Sequence, residues 1–126
     1  MIHLDTQIVV WLFFRQEKPF GPDARRMLRR DSSRVISPLV LVELEILIEI
    51  GRIKVRSADD LLHDLSNRLD LTLSHAQMSD VAREACRFAW TRDPFDRLIV
   101  ANAMADGAKL VTADRRILAN FKDAVW

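Results

Sequence analysis

The stretch Ile2-His3-Leu4-Asp5-Thr6-Gln7-Ile8-Val9-Val10-Trp11-Leu12-Phe13-Phe14 carries two periods in succession. Ile2 to Asp5 is a short apolar run ending in a carboxylate, as a buried strand does, and from Thr6 onward Ile8, Val9, Trp11 and Leu12 fall at helical spacing. The chain therefore opens strand, then helix. Working outward, Gly21-Pro22-Asp23 begins an Arg-studded helix to about Arg30, and Arg34 to Ser37 reads as a second buried strand. Pro38 starts a long apolar helix that Gly51 stops, and Ser57-Ala58-Asp59-Asp60 caps a further helix to about Arg68. Leu69 to Ser74 predicts the third strand, Ala76 to Trp90 a helix, Asp93-Pro94 to Asp106 another, Lys109 to Thr112 the fourth strand. A short helix follows Asp114, and Ala124 to Trp126 ends the pattern as an edge strand. Such alternation predicts a three-layer α/β domain with a mostly parallel sheet, because antiparallel pairs need hairpins that this sequence lacks.

Composition bounds the rest. With 126 residues, 49% of them hydrophobic, and no repeat or Pro/Gly/Ser-rich linker, residues 1–126 read as one domain with a core large enough to fold unaided. Cys86 is the only cysteine, which excludes a disulfide scaffold and a thiolate metal site, and its apolar helical neighbours suggest an inert core thiol. The start lacks a basic leader, and Glu43, Glu45 and Glu49 interrupt the longest apolar run, so a signal peptide and a membrane span are not expected; a cytoplasmic location is. The formal charge is only +1, against holding nucleic acid by bulk electrostatics, yet 15 of the 19 basic residues are Arg, suited to forked contact with phosphate or carboxylate.

The acids carry the functional reading. Asp5 closes the first strand and Asp114 lies just beyond the fourth, so a parallel sheet brings both to its carboxyl edge, where α/β folds bind ligands. Asp96 stands in the first turn of the helix opened by Asp93-Pro94, and Glu43 interrupts an almost wholly apolar helix. Converging carboxylates repel one another and are costly to bury, so a divalent cation makes sense of the cluster. Oxygen donors alone favour Mg²⁺ or Mn²⁺ over Zn²⁺. Each acid also has a plainer role: Asp5 and Asp114 as helix N-caps, Asp93 with Asp96 as a capping box. Glu45 and Glu49, turned about 200° from Glu43 in the case of Glu45, read as a solvated or partner-facing edge. His3, on a strand and without metal-ligand spacing to His63 or His75, reads as structural.

In four segments the chain resembles the PIN domains, specifically the VapC toxin type: Ile2-His3-Leu4-Asp5-Thr6, Ser37-Pro38-Leu39-Val40-Leu41-Val42-Glu43-Leu44, Arg92-Asp93-Pro94-Phe95-Asp96-Arg97-Leu98-Ile99, and Leu110-Val111-Thr112-Ala113-Asp114-Arg115. It departs at Val42, where relatives often have Trp, and at Trp90-Thr91, where they usually have His. The resemblance implies a PIN-like fold over 1–126, an acidic quartet of Asp5, Glu43, Asp96 and Asp114 that is both catalytic and metal-binding, and support from Thr6, Thr112 and Asp93. It also implies an Mg²⁺- or Mn²⁺-dependent endoribonuclease that leaves 5′-phosphate and 3′-hydroxyl ends, a VapB-like antitoxin that enters the acidic cleft, and a homodimer.

Arg92, Arg97, Arg115 and Arg116 adjoin these acids and are candidates for RNA phosphate contact, with surface salt bridges as the alternative. Arg25, Arg26, Arg29 and Arg30 share one helix, as a solvated face or an antitoxin dock. Trp11 reads as core or dimer interface. Two other readings share the acidic α/β cleft: a catalytically idle PIN-like binding module, and a phospho-receiver signalling domain. The latter needs an aspartate ending strand three, where this chain has Leu73-Ser74, and a lysine after its last strands.

Overall fold

The computed structural model describes residues 1–16, 19–30 and 33–126. In chain order the elements are β1 (Ile2–Leu4), α1 (Thr6–Phe13), α2 (Pro22–Arg30), β2 (Arg34–Ile36), α3 (Pro38–Glu49), α4 (Ala58–Leu69), β3 (Leu71–Leu73), α5 (Met78–Ala85), α6 (Pro94–Ala105), β4 (Lys109–Val111), α7 (Arg115–Asn120) and β5 (Ala124–Val125). The sheet order is β3-β2-β1-β4-β5 and every pairing is parallel, with Ile2 beside both Arg34 and Lys109. The expected mostly parallel sheet is thus wholly parallel and flanked by helices. This order differs from the 2-1-3-4-5 arrangement of receiver domains, which removes that reading.

Local chemistry explains most boundaries. Ser37 and Ser57 cap α3 and α4 through their side-chain oxygens, and Pro38 and Pro94 sit at the first turns of α3 and α6, where no N–H is needed. Gly51 and Gly107, just past the ends of α3 and α6, have φ of +79° and +61°, a left-handed conformation that is strained for residues with a Cβ. Ile2, Leu4, Ile8, Ile36, Val40, Leu44, Leu61, Leu65, Ile99 and Leu110 are all but fully buried in the main core. Each large aliphatic side chain withdrawn from water contributes roughly 1.5–3 kcal/mol. Trp11 packs in the same region, with its ring 5.9 Å from that of Phe20 and 5.7 Å from that of Trp126.

Three expectations are corrected. The helix predicted from Ala76 to Trp90 runs only from Met78 to Ala85 with Cys86 as its cap, and beyond it the side chain of Arg97 takes the carbonyls of Ala85, Phe88 and Thr91 and holds that segment in a non-helical path. Cys86 follows that helix end and is exposed rather than a core thiol. Glu45 is not merely a solvated edge either: its carboxylate accepts from the N–H of Ala58 at 2.7 Å and caps α4 from α3.

His3 is structural, as expected, through partners far away in sequence. Its Nε2 lies 2.7 Å from Oδ2 of Asp106, and that oxygen also accepts from Ser74 Oγ at 2.6 Å and from Asn102 Nδ2 at 3.4 Å. An acceptor in this position requires the imidazole proton on Nε2. Burial lowers the His3 pKa, opposed by Asp106, and Nδ1 is buried without a partner. These bonds join β1, the end of β3 and the C-terminal end of α6. Asp106→Ala leaves His3 and Ser74 without their acceptor, while Asn102 keeps Ser74 Oγ at 2.8 Å, and should cost about 2–3 kcal/mol. The check is urea unfolding, with a lowered midpoint and an unchanged slope; a loss below about 0.5 kcal/mol would contradict this role.

Candidate active site

In the order β3-β2-β1-β4-β5 the chain winds outward from β1 in one direction and then in the other, so a crevice opens at the carboxyl ends of β1 and β4. Asp5 stands at the end of β1, and Thr112 and Asp114 follow β4. One bond spans the crevice: the Thr112 hydroxyl donates to Asp5 Oδ2 at 2.6 Å. Asp5 Oδ1 accepts from the N–H of Thr6 at 2.8 Å, so both oxygens of this buried carboxylate are oriented. Thr112 Oγ1 also accepts from the N–H of Asp114 at 3.0 Å, which ties the next acid to the same hydroxyl.

The plainer cap roles coexist with a site. Asp114 Oδ1 accepts from the N–H groups of Arg116 and Ile117 at 2.8 and 3.0 Å and starts α7. Asp93 Oδ1 accepts from those of Phe95 and Asp96 at 2.9 and 3.1 Å and starts α6. In each, the cap uses Oδ1, and among the described residues nothing donates to Oδ2. The capping box is half formed: Asp93 caps, while no hydrogen bond reaches back from the Asp96 carboxylate.

Electrostatics brings the quartet together. Burial first, and then the charges of Asp93, Asp114, Asp5 and Glu43 in that order, together push Asp96 up to about 6. Asp5 is raised by burial, opposed by its bonds from Thr112 and Thr6 and reinforced by Asp114. Glu43 is raised by burial, eased by the Thr6 hydroxyl, and raised again by Asp5 and Asp93. The Thr6 hydroxyl approaches Glu43 closely enough to favour its ionised form without hydrogen-bond geometry, so its buried Oγ1 makes no bond. Asp5, Glu43, Asp93, Asp96 and Asp114 therefore share one field, with Thr6 and Thr112 among them. An all-carboxylate donor set with an unpartnered buried hydroxyl fits a hard divalent cation in kind. Among the described residues no three of these groups already stand within the span of one ion.

The arginines divide. Arg92, Arg115 and Arg116 are exposed beside Asp93 and Asp114, and no ion pair involves them among the described residues. Arg97, although adjacent to Asp96, points elsewhere: its three nitrogens donate to the Ala85, Thr91 and Phe88 carbonyls. Nothing in the sequence signalled this direction, because Arg-Asp-Pro-Phe-Asp-Arg places both arginines equally close to the acids along the chain. Arg25, Arg29 and Arg34 line a groove of about 380 Å³ with Leu12, Phe20, Leu28 and Leu69. Arg34 begins β2 and Leu69 precedes β3, so this groove lies toward the edge of the sheet opposite the carboxylates.

A carboxyl raised in the folded protein binds its proton between pH 3.8 and about 6, where the unfolded chain has released it. Its contribution to stability is therefore intact below pH 3.8 and is lost as pH rises through about 6. Asp96→Asn should raise the melting temperature of the metal-free protein at pH 7.5 and flatten its decline over that window. Equal melting curves for the two proteins at pH 7.5 would contradict the crowding of charge.

The PIN domain family matches residues 2–123. No curated protein sequence matches the chain. Among solved structures it is similar to VapBC2 of Rickettsia felis bound to a DNA fragment from its promoter, with TM-score 0.67, 20% identity, and coverage of 99% of this chain and 96% of that one. It is also similar to a toxin-antitoxin complex from Klebsiella pneumoniae, with TM-score 0.62, 16% identity, and coverage of 100% and 97%. At these identities the likeness is one of fold, and it extends over essentially the whole of each chain. With a family match covering all but the first residue and the last three, this chain belongs to the PIN domain family.

Proposed function

We propose that the protein is a metal-dependent endoribonuclease of the VapC toxin kind, hydrolysing RNA to 5′-phosphate and 3′-hydroxyl ends. The observation that carries this reading is the mutual elevation of Asp96 by burial and four neighbouring carboxylates, in a PIN-domain crevice. Such crowding is unfavourable for the empty protein and favourable once countercharge arrives. Asp5, Glu43, Asp96 and Asp114 would hold one or two divalent ions, Mg²⁺ or Mn²⁺. When bound, such an ion supplies a more acidic water and compensates charge on the phosphate.

The chain's own residues do the positioning. Thr112 and the N–H of Thr6 fix the two oxygens of Asp5, and Thr112 ties Asp114 to the same point. The Thr6 hydroxyl, buried facing Glu43 and without a hydrogen bond of normal geometry among the described residues, is available to orient a polar group in the crevice. Arg92, Arg115 and Arg116, exposed and next to Asp93 and Asp114 along the chain, are suited to grip RNA phosphates. Arg97 is left out of that set.

Two protein partners belong to the proposal. The neighbours include a VapBC and another toxin-antitoxin complex, and a VapB-like antitoxin is accordingly proposed to silence the nuclease. A second copy is proposed to cover α3, where Val42, Ile46 and Ile50, at i, i+4 and i+8, remain 49, 38 and 61% exposed. No helix among the described residues is long and apolar enough to cross a membrane.

Purified, antitoxin-free protein should cleave RNA with Mg²⁺ or Mn²⁺, and Asp5→Asn or Asp96→Asn should reduce the rate by about 100-fold or more. Absence of cleavage with either metal, alongside normal RNA binding, would replace this reading with the binding module. Ile46→Glu should shift the particle mass in light scattering from dimer to monomer; an unchanged mass would remove α3 as the dimer face. Expression of the protein alone should arrest growth, with rescue by the adjacent open reading frame.

A further inference from the structure

Arg97 follows Asp96 directly, but its guanidinium is bound to backbone at the end of α5 and in the segment that follows it. Nε–H donates to the Ala85 carbonyl at 2.8 Å, one terminal nitrogen to that of Phe88 at 2.5 Å and the other to that of Thr91 at 3.4 Å, with the charge 5.7 Å from the centre of the Phe88 ring. Phe88 in turn stacks on Trp90 at 5.4 Å. The Thr91 hydroxyl, with its residue only 2% exposed, accepts from the N–H of Asp93 at 3.2 Å, and Asp93 caps the turn that carries Asp96. These contacts form a closed circuit from residue 97 back to 85–93, a segment without helix or strand after Ala85. Three carbonyls converging on one planar cation match the fork of Arg, whereas the single ammonium of Lys cannot reach all three.

We propose that Arg97 is a positioning residue that clamps residues 85–91 to α6 and thereby fixes Asp93 and Asp96 within the carboxylate cluster. It is not a phosphate contact. The inference rests on the reading of that cluster as a divalent-cation site. A group that holds a ligand-bearing segment from behind changes metal affinity by about 10-fold or more when removed.

The test measures Mn²⁺ affinity by calorimetry for the wild type, Arg97→Met, Arg97→Lys and Thr91→Val, with thermal melting as the control for folding. A fluorescein-labelled 20-nucleotide single-stranded RNA of mixed sequence, titrated in EDTA and read by anisotropy, reports phosphate contact without cleavage. Arg97→Met should weaken Mn²⁺ binding by about 10-fold, and Arg97→Lys should be nearly as defective because it keeps the charge but not the fork. RNA affinity should stay within about twofold of wild type in both. Thr91→Val, which removes one tie and leaves Arg97 in place, should weaken Mn²⁺ binding by about threefold, and it decides the matter if the Arg97 variants do not fold.

Wild-type Mn²⁺ affinity in Arg97→Lys would overturn the proposal in favour of a role for charge alone. Weakened RNA binding with intact Mn²⁺ affinity would overturn it in favour of phosphate contact, and a lower melting temperature with intact Mn²⁺ affinity in favour of packing only. If the wild type binds Mn²⁺ and every variant binds it equally, this inference fails while the cation site stands. If the wild type itself binds none, the proposed function fails and the inference with it.

Discussion

Like charge held at close quarters is the constraint on which the rest of this structure depends. Asp5, at the end of β1, is bonded across the crevice to Thr112, beyond β4, and the field of that buried carboxylate reaches Glu43, Asp96 and Asp114. A fold selected for stability alone would separate these groups or pair them with arginines. Here, among the described residues, none of the five acids of the crevice has an ion-pair partner, although Arg92, Arg115 and Arg116 are near in sequence. The cluster is held together from outside, by backbone N–H groups, threonine hydroxyls and the parallel sheet.

The helix that brings Asp96 to the crevice is secured at both ends. At its start, Asp93 caps the first turn while Arg97 binds the preceding segment. At its end, Asp106 collects bonds from His3, Ser74 and Asn102 and ties β1 and the end of β3 to the helix. Between these points α6 packs on α5 through small side chains, with Val81, Ala85 and Ala101 buried. Rigid placement of a repelling group costs stability in the empty protein and preorganises the charge that a cation would meet.

Much of this was legible in the sequence because its signals are local. The strand-helix alternation predicts the α/β class, and Asp5 and Asp114 follow apolar strands that a parallel sheet must bring to one edge. The caps were visible too, although cap and site looked like alternatives until the structure showed Oδ1 of Asp93 and Asp114 used for the helix and Oδ2 left over. What was not legible depends on contacts distant along the chain. The non-helical path after α5 is held by Arg97, twelve residues beyond Ala85. The partner of His3, Asp106, lies 103 residues away, and no periodicity announces it. The basic face of α2 reads in sequence as a solvated face or an antitoxin dock, and that its groove lies toward the other edge of the sheet from the acids is a separation that only the chain's winding determines.

Asp5, Glu43, Asp96 and Asp114 are proposed to form one cation site. Its most direct measurement is the anomalous difference map of a crystal grown or soaked in Mn²⁺, recorded at the manganese absorption edge. A peak is expected in the crevice between β1 and β4, within bonding distance of Asp5 and Asp96 carboxylate oxygens, and it should disappear in Asp96→Asn. A well-ordered crystal with no peak there, or with Mn²⁺ bound only at other surface acids, would contradict it.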